Sequence, residues 1–131
     1  MDKYVIETIT NGLREKATAV VEWRNNRDLF LEISLNDVTH STLDLDCFSA
    51  FQLLRQKFFH EVIFCCNGAR RNFVQSGMMQ QSGGFYGYLV KLGERSNPDE
   101  TAFIFDYCSP EFVVSVEDQN IFKDEWFRSL S

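Results

Sequence analysis

Residues Ala17–Leu35 read ATAVVEWRNNRDLFLEISL, and both halves of this stretch keep the same rhythm. Ala17, Ala19, Val21 and Trp23 alternate with Thr18, Val20, Glu22 and Arg24. Beyond Asn25-Asn26, Leu29, Leu31, Ile33 and Leu35 alternate with Asp28, Phe30, Glu32 and Ser34. A period of two is that of a strand with one face turned to a core. Asparagines tolerate the left-handed backbone that tight hairpin turns require. The stretch therefore predicts an antiparallel hairpin, whose apolar face needs a covering layer.

The flanking segments supply that layer. Asp46 can cap a helix over 46–60, with Phe48, Phe51, Leu54, Arg55 and Phe58 at helical spacing and Gln52, Gln56 and Lys57 opposite. Before the hairpin, the spacing of Tyr4, Val5, Ile9 and Leu13 predicts a short helix over 2–12, closed by Asn11-Gly12. Val62–Cys66 is a continuous apolar run and reads as a central strand buried on both faces. Residues 67–84 read as a loop, followed by strands over 85–92 and 101–107. Ser115–Asp118 matches a capping box that opens a last helix over 116–130, with Ile121, Phe122, Trp126, Phe127 and Leu130 as its apolar stripe. The expected fold is α+β, a single domain over 1–131 with about five mostly antiparallel strands and helices packed on them.

Composition agrees with that scale. The chain has 131 residues, 44% of them hydrophobic, including thirteen phenylalanines, which is ample for one core. With two prolines and no low-complexity run, a disordered linker is not expected. Neither a signal peptide at MDKYVIETIT nor a membrane-spanning run is visible. Cys47, Cys65, Cys66 and Cys108 lack CxxC spacing, so they read as reduced, mostly buried thiols of a cytoplasmic protein rather than a zinc site or disulfide framework.

The net charge of −6 is unevenly spread. Residues 36–54 carry three acids and no base, and residues 96–131 carry eight acids and two bases, whereas residues 55–95 carry six bases and two acids. Such a chain is poorly suited to nucleic acid and better matched to a basic macromolecule.

Cys65–Gly84, CCNGARRNFVQSGMMQQSGG, is the stretch most able to carry chemistry. It lacks GxxxxGK[ST] and GxGxxG, and a strand rather than a helix follows Gly84, so it is not a phosphate loop. The histidines are His40 and His60. On a strand running from His60 to Cys66, a rise of about 3.3 Å per residue separates the two by about 20 Å, which excludes a dyad. His40 and Ser76 have nothing in the sequence to join them. The acid pairs Asp44/Asp46, Asp99/Glu100, Glu117/Asp118 and Asp124/Glu125 are neighbours in loops and at helix ends, not carboxylates facing across a cleft. No catalytic residue, metal site or cofactor is expected. Gly68, Gly77, Gly83 and Gly84 suit a loop of fixed shape. Arg70 and Arg71 could take carboxylates, either on a partner or within the acidic C-terminal part, and Met78 and Met79 offer adaptable apolar contact or core filling.

The block Cys66-Asn67-Gly68-Ala69-Arg70-Arg71-Asn72, then Ser76-Gly77-Met78 and Gly83-Gly84, resembles a family of small bacterial proteins. Their aromatic strand ends Val-Leu-Lys-Leu-Gly, here Tyr88-Leu-Val-Lys91-Leu-Gly93. The likeness continues through Phe105-Asp-Tyr107 and Ser115-Val-Glu117-Asp-Gln119, spanning Phe64 to Leu130. Gln80, Gln81 and Ser82 depart from it, standing where Arg, Asp and Met are common. Some members look like immunity proteins of contact-dependent inhibition or related polymorphic-toxin systems. The resemblance implies a cytoplasmic monomer or homodimer that neutralises a cognate toxin domain without catalysis, neither on nucleic acid nor on a membrane. A basic toxin, such as a nuclease, would meet Asp37, Asp44 and Asp46, or Asp99, Glu100 and the C-terminal acids. The alternatives are an adaptor or homodimeric structural protein, and a ligand-binding or enzymatic site in which Asn67, Arg70, Arg71 and Ser76 line one pocket for an anion.

Overall fold

The computed structural model describes residues 1–58 and 62–131. Its larger sheet has the order β4-β3-β2-β1-β5, built from β1 (Asp2–Thr10), β2 (Leu13–Arg24), β3 (Asp28–Leu35), β4 (Val38–Asp44) and β5 (Val62–Phe64), all antiparallel. The Ala17–Leu35 stretch forms the expected hairpin, with Trp23 opposite Leu29 and Ala19 opposite Ile33. Ala17, Ala19, Val21, Leu29, Leu31, Ile33 and Leu35 are all buried on one face. Asn25 and Asn26 take positive φ, 57° and 56°, as the turn demands.

Residues 2–12 are not a helix. They form β1, with Tyr4, Ile6 and Thr8 facing the core and Val5 and Glu7 facing out. Asn11-Gly12, at φ 51° and 78°, is the two-residue turn of a β1–β2 hairpin rather than a helix stop. Nor is Val62–Cys66 a central strand. β5 has only three residues, lies at the sheet edge beside β1, and leaves Ile63 exposed. The end of the helix expected to reach His60, and the placing of His60 relative to Cys66, lie outside the described residues.

α1 (Cys47–Lys57) packs on β3 and β4 and buries Cys47, Ala50, Phe51 and Leu54. Asp46 caps it: its Oδ1 accepts from Ser49 N at 2.9 Å and its Oδ2 from Ser49 Oγ at 2.8 Å. The second sheet, in order β6-β7-β8, joins β6 (Phe73–Val74), β7 (Tyr86–Leu89) and β8 (Thr101–Phe103), with α2 (Gly77–Gln81) between β6 and β7. α2, a single turn capped by Ser76 Oγ, falls within residues 67–84, which read as a loop. α3 (Val116–Ser129) starts at Ser115, whose Oγ accepts from Asp118 N at 3.1 Å. Its buried face is Gln119, Phe122 and Trp126, whereas Ile121 and Phe127 of the expected stripe are half exposed. No described helix is long and apolar enough to cross a membrane.

One aromatic core joins the sheets: Phe51 meets Phe64 and Phe105 edge-on, and Tyr4 packs on Phe103 and Phe105. A satellite cluster of Val74, Val90, Phe122 and Trp126 lies under α3. The four thiols are unbridged and buried.

Burial pushes the Cys66 thiol from an ordinary 9.0 up to about 12, against the pull of the Ala69 and Gly68 amides and Arg55, and it raises Cys47 in the same direction. Below pH 9 these thiols stay neutral in both folded and unfolded chains, so their contribution is complete. Above pH 9 only the unfolded chain releases the proton, so stability drains towards pH 12. Burial acts oppositely on Arg55, lowering it from 12.5 to about 10, so its deprotonation offsets the loss above pH 10. Urea unfolding between pH 8.5 and 10 should therefore show stability falling by about 1 kcal/mol per unit for each such thiol. The slope should shrink in Cys66→Ala, and an unchanged slope would refute the assignment to Cys66.

Candidate functional site

The signature block is a structural knot. Asn67–Ala69 makes one 3-10 turn, buried throughout. Asn67 N donates to Asp106 O, Gly68 N to Ile104 O at 2.8 Å, and Asn67 Nδ2 to Phe103 O. Gly68 is required by closeness: a Cβ there would stand 2.6 Å from Ile104 Cγ1. The turn's carbonyls are held by Gln119, whose Nε2 donates to Gly68 O at 2.9 Å and Arg70 O at 2.8 Å. Gln119 Oε1 in turn accepts from Gln52 Nε2 and from the Arg55 guanidinium, which also donates to Val114 O at 2.7 Å. Gln119 thus ties α1, the turn and α3 together. Sequence reasoning missed it because it looked for apolar residues at buried helical positions. Its signals were its place in line with Phe122 and Trp126 and its standing at the end of the Ser115-Val-Glu117-Asp-Gln119 likeness.

The arginines do not pair with C-terminal acids. Among the described residues neither makes an ion pair. The Arg70 guanidinium lies 4.6 Å over the Phe112 ring with its Nε donating to Asn72 Oδ1, and Arg71 lies 4.7 Å over Phe122. They line a recess of about 300 Å³ with Asn72, Glu111 and Phe112. Asn67 is buried in the knot and Ser76 borders a different recess, so the structure does not gather the four residues expected for an anion pocket.

The rest of the signature builds a wall. Met78 is 78% exposed on α2, beside exposed Gly77. Gly83 O accepts from Cys47 N at 2.8 Å, which seats the loop on the start of α1. Gly83 has φ 112°, and a Cβ there would stand 2.8 Å from the Phe85 ring and 3.3 Å from Trp23. Gly84, at φ 74°, likewise lies tight against Asp46, whose Oδ1 a Cβ would meet at 2.6 Å. Behind Trp23 and Phe85 opens a groove of about 550 Å³, bordered by Tyr4, Trp23, Phe85, Tyr86 and Phe103 together with Asp2. A second recess of about 340 Å³ continues it through Phe85 and Tyr86 to Met78, Met79 and Ser76. Among the described residues, no lysine or arginine borders either part. Trp23 and Tyr86 are 47% and 55% exposed.

The acids expected to meet a partner are dispersed. Asp46 is buried and both its oxygens are committed to the cap of α1, so it belongs to the fold. Asp44 shares the cross-strand row of Trp23 and Leu29, which puts it about 10 Å from Trp23. Glu100, next to Asp99 in the exposed turn before β8, lies about 10 Å along the chain from Phe103. Asp37, in the β3–β4 turn, is about 20 Å from the Trp23 row. Asp44 therefore stands beside the groove, and Asp37 does not.

No protein-family model matches the sequence, and no curated protein matches it. The resemblance to the bacterial family rests on its quoted motifs.

Replacing Gln119 with Leu keeps the volume but strands two buried carbonyls and part of the Arg55 guanidinium. Urea unfolding of Gln119→Leu should show a loss of about 2–4 kcal/mol. A loss below about 0.5 kcal/mol would mean that solvent already serves these groups.

Proposed function

We propose that this chain is a stoichiometric binding protein of the cytoplasm that neutralises a basic toxin domain, as an immunity protein does. The observation that supports it is the aromatic groove. Five aromatic side chains border it together with Asp2, Asp44 stands beside it, and no lysine or arginine lines it among the described residues. Aromatic faces attract guanidinium and ammonium groups, and partly exposed Trp and Tyr side chains are the usual anchors of protein interfaces. The surplus of acids would steer a basic partner and hasten encounter at low salt. Met78 and Met79 extend the groove with side chains that repack against varied surfaces.

Binding of an anionic small molecule is the competing reading, supported by the Arg70–Arg71 recess. Cation–π stacking holds both guanidinium groups there, and the recess contains Glu111, which opposes an anion.

The test expresses the C-terminal region of the reading frame upstream of this gene, with and without this protein, and scores growth. Calorimetry at two salt concentrations then follows. Growth should be rescued, with one toxin domain bound per chain and weaker binding at higher salt. Trp23→Ala and Tyr86→Ala should each weaken binding by about 30-fold or more, at thermal midpoints close to the parent. Toxicity without rescue would refute the immunity function, and rescue indifferent to both substitutions would remove the groove from the interface.

A further inference from the structure

β4 closes one edge of the five-stranded sheet and pairs with β3 alone. The two strands are joined by the two-residue turn Asn36-Asp37, so Leu35 and Val38 close the hairpin as a hydrogen-bonded pair. Counting back, Ile33–His40, Leu31–Thr42 and Leu29–Asp44 are hydrogen-bonded pairs too. Thr39, Ser41 and Leu43 therefore direct their N–H and C=O groups away from β3, over the open edge. Natural sheets guard such an edge with charged residues, above all lysine, or with proline, a bulge, shortness or a covering segment, and the one acid on β4 is Asp44 at its last position. VTHSTLD contains no lysine and no proline, and its seven residues pair in seven consecutive steps without a bulge. Val38, Leu43 and Leu45 are 49%, 53% and 69% exposed along it.

We infer that β4 pairs with β4 of a second copy of this chain, antiparallel about a two-fold axis through Ser41. Of the registers that bring outward-pointing residues together, this is the one that pairs Thr39, Ser41 and Leu43 entirely among themselves: Ser41 faces Ser41 of the second copy, and Thr39 faces Leu43 of the second copy, in both directions. All three pairs bring outward-pointing residues together, so each exchanges two hydrogen bonds. The charges fit the same register. Asp37 falls opposite Leu45 and Asp44 opposite Val38, so no carboxylate meets a carboxylate and the three exposed apolar side chains all gain cover. The product is a continuous ten-stranded sheet, an isologous dimer of the commonest symmetry. It does not rest on the toxin-binding reading, although Asp44 borders both the seam and the groove.

Charge makes the dimer recognisable. Each copy carries −6, so self-association should tighten as salt rises, opposite to the salt response of a basic partner. Sedimentation equilibrium of the full chain should show a monomer–dimer equilibrium shifting to dimer between low and moderate salt. Hydrogen exchange should show the Thr39, Ser41 and Leu43 amides protected at high protein concentration and released on dilution. Ser41→Lys places two ammonium groups at the axis and should abolish the dimer without lowering the thermal midpoint. A chain that stays monomeric at the highest concentration overturns the inference. So does a dimer whose three amides exchange freely, or one that survives Ser41→Lys.

Discussion

The Gln119 amide sits where three parts of the chain would otherwise each bury an unpaired polar group. Its oxygen takes protons from Gln52 and Arg55 of α1, and its nitrogen gives protons to the Gly68 and Arg70 carbonyls. In a largely buried site each of these bonds matters, because breaking one leaves a partly desolvated group without a partner. The position of the turn at Asn67–Ala69 depends on this clamp. So does the close packing of Gly68 on Ile104, where a Cβ would stand only 2.6 Å away, and with it the placing of β8 and Phe103. The groove's far wall is thus set by a glutamine on another element.

Strands whose alternation ran clean were legible. Leu29, Leu31, Ile33 and Leu35 have one face buried and one turned out, and nothing else competes for that pattern. β1 was not legible, because its core face includes polar Thr8 while Val5 is apolar and exposed. That inversion erases the period of two and leaves a false helical spacing. β4 was invisible for a related reason: an edge strand half exposed on both faces carries too few apolar residues to show a rhythm. Val62–Cys66 misled in the other direction. Its burial comes from the knot that follows it, through bonds such as Cys108 N to Cys65 O and the pairing of Cys66 with Tyr107, not from strands on both sides.

The candidate site was half legible. Motif reading found the Gly83–Gly84 wall and the exposed methionines, and it also singled out Asn67 and Gly68, whose work proves to be internal. It could not find Tyr4 and Trp23 as site residues. Both obey the core alternation of their strands and reach solvent only because they stand where the sheet's covered face runs out. Which buried-face residues emerge at a rim is a property of tertiary packing, carried by residues far apart in sequence.

The clamp at Gln119 also has a temporal side. Arg55 precedes it by 64 residues, so the partner that completes this hydrogen-bonding centre is synthesised long after the hairpins of the first sheet. At about 5–20 residues per second, α1 waits on the order of 3 to 13 seconds for it. During that interval the first sheet and α1 exist as a nascent unit with an unsatisfied guanidinium and uncovered phenylalanines. A chain cut before Gln119 therefore forms no smaller version of this protein. It leaves the Arg55 guanidinium and the carbonyls of the turn without the partner that the complete chain supplies.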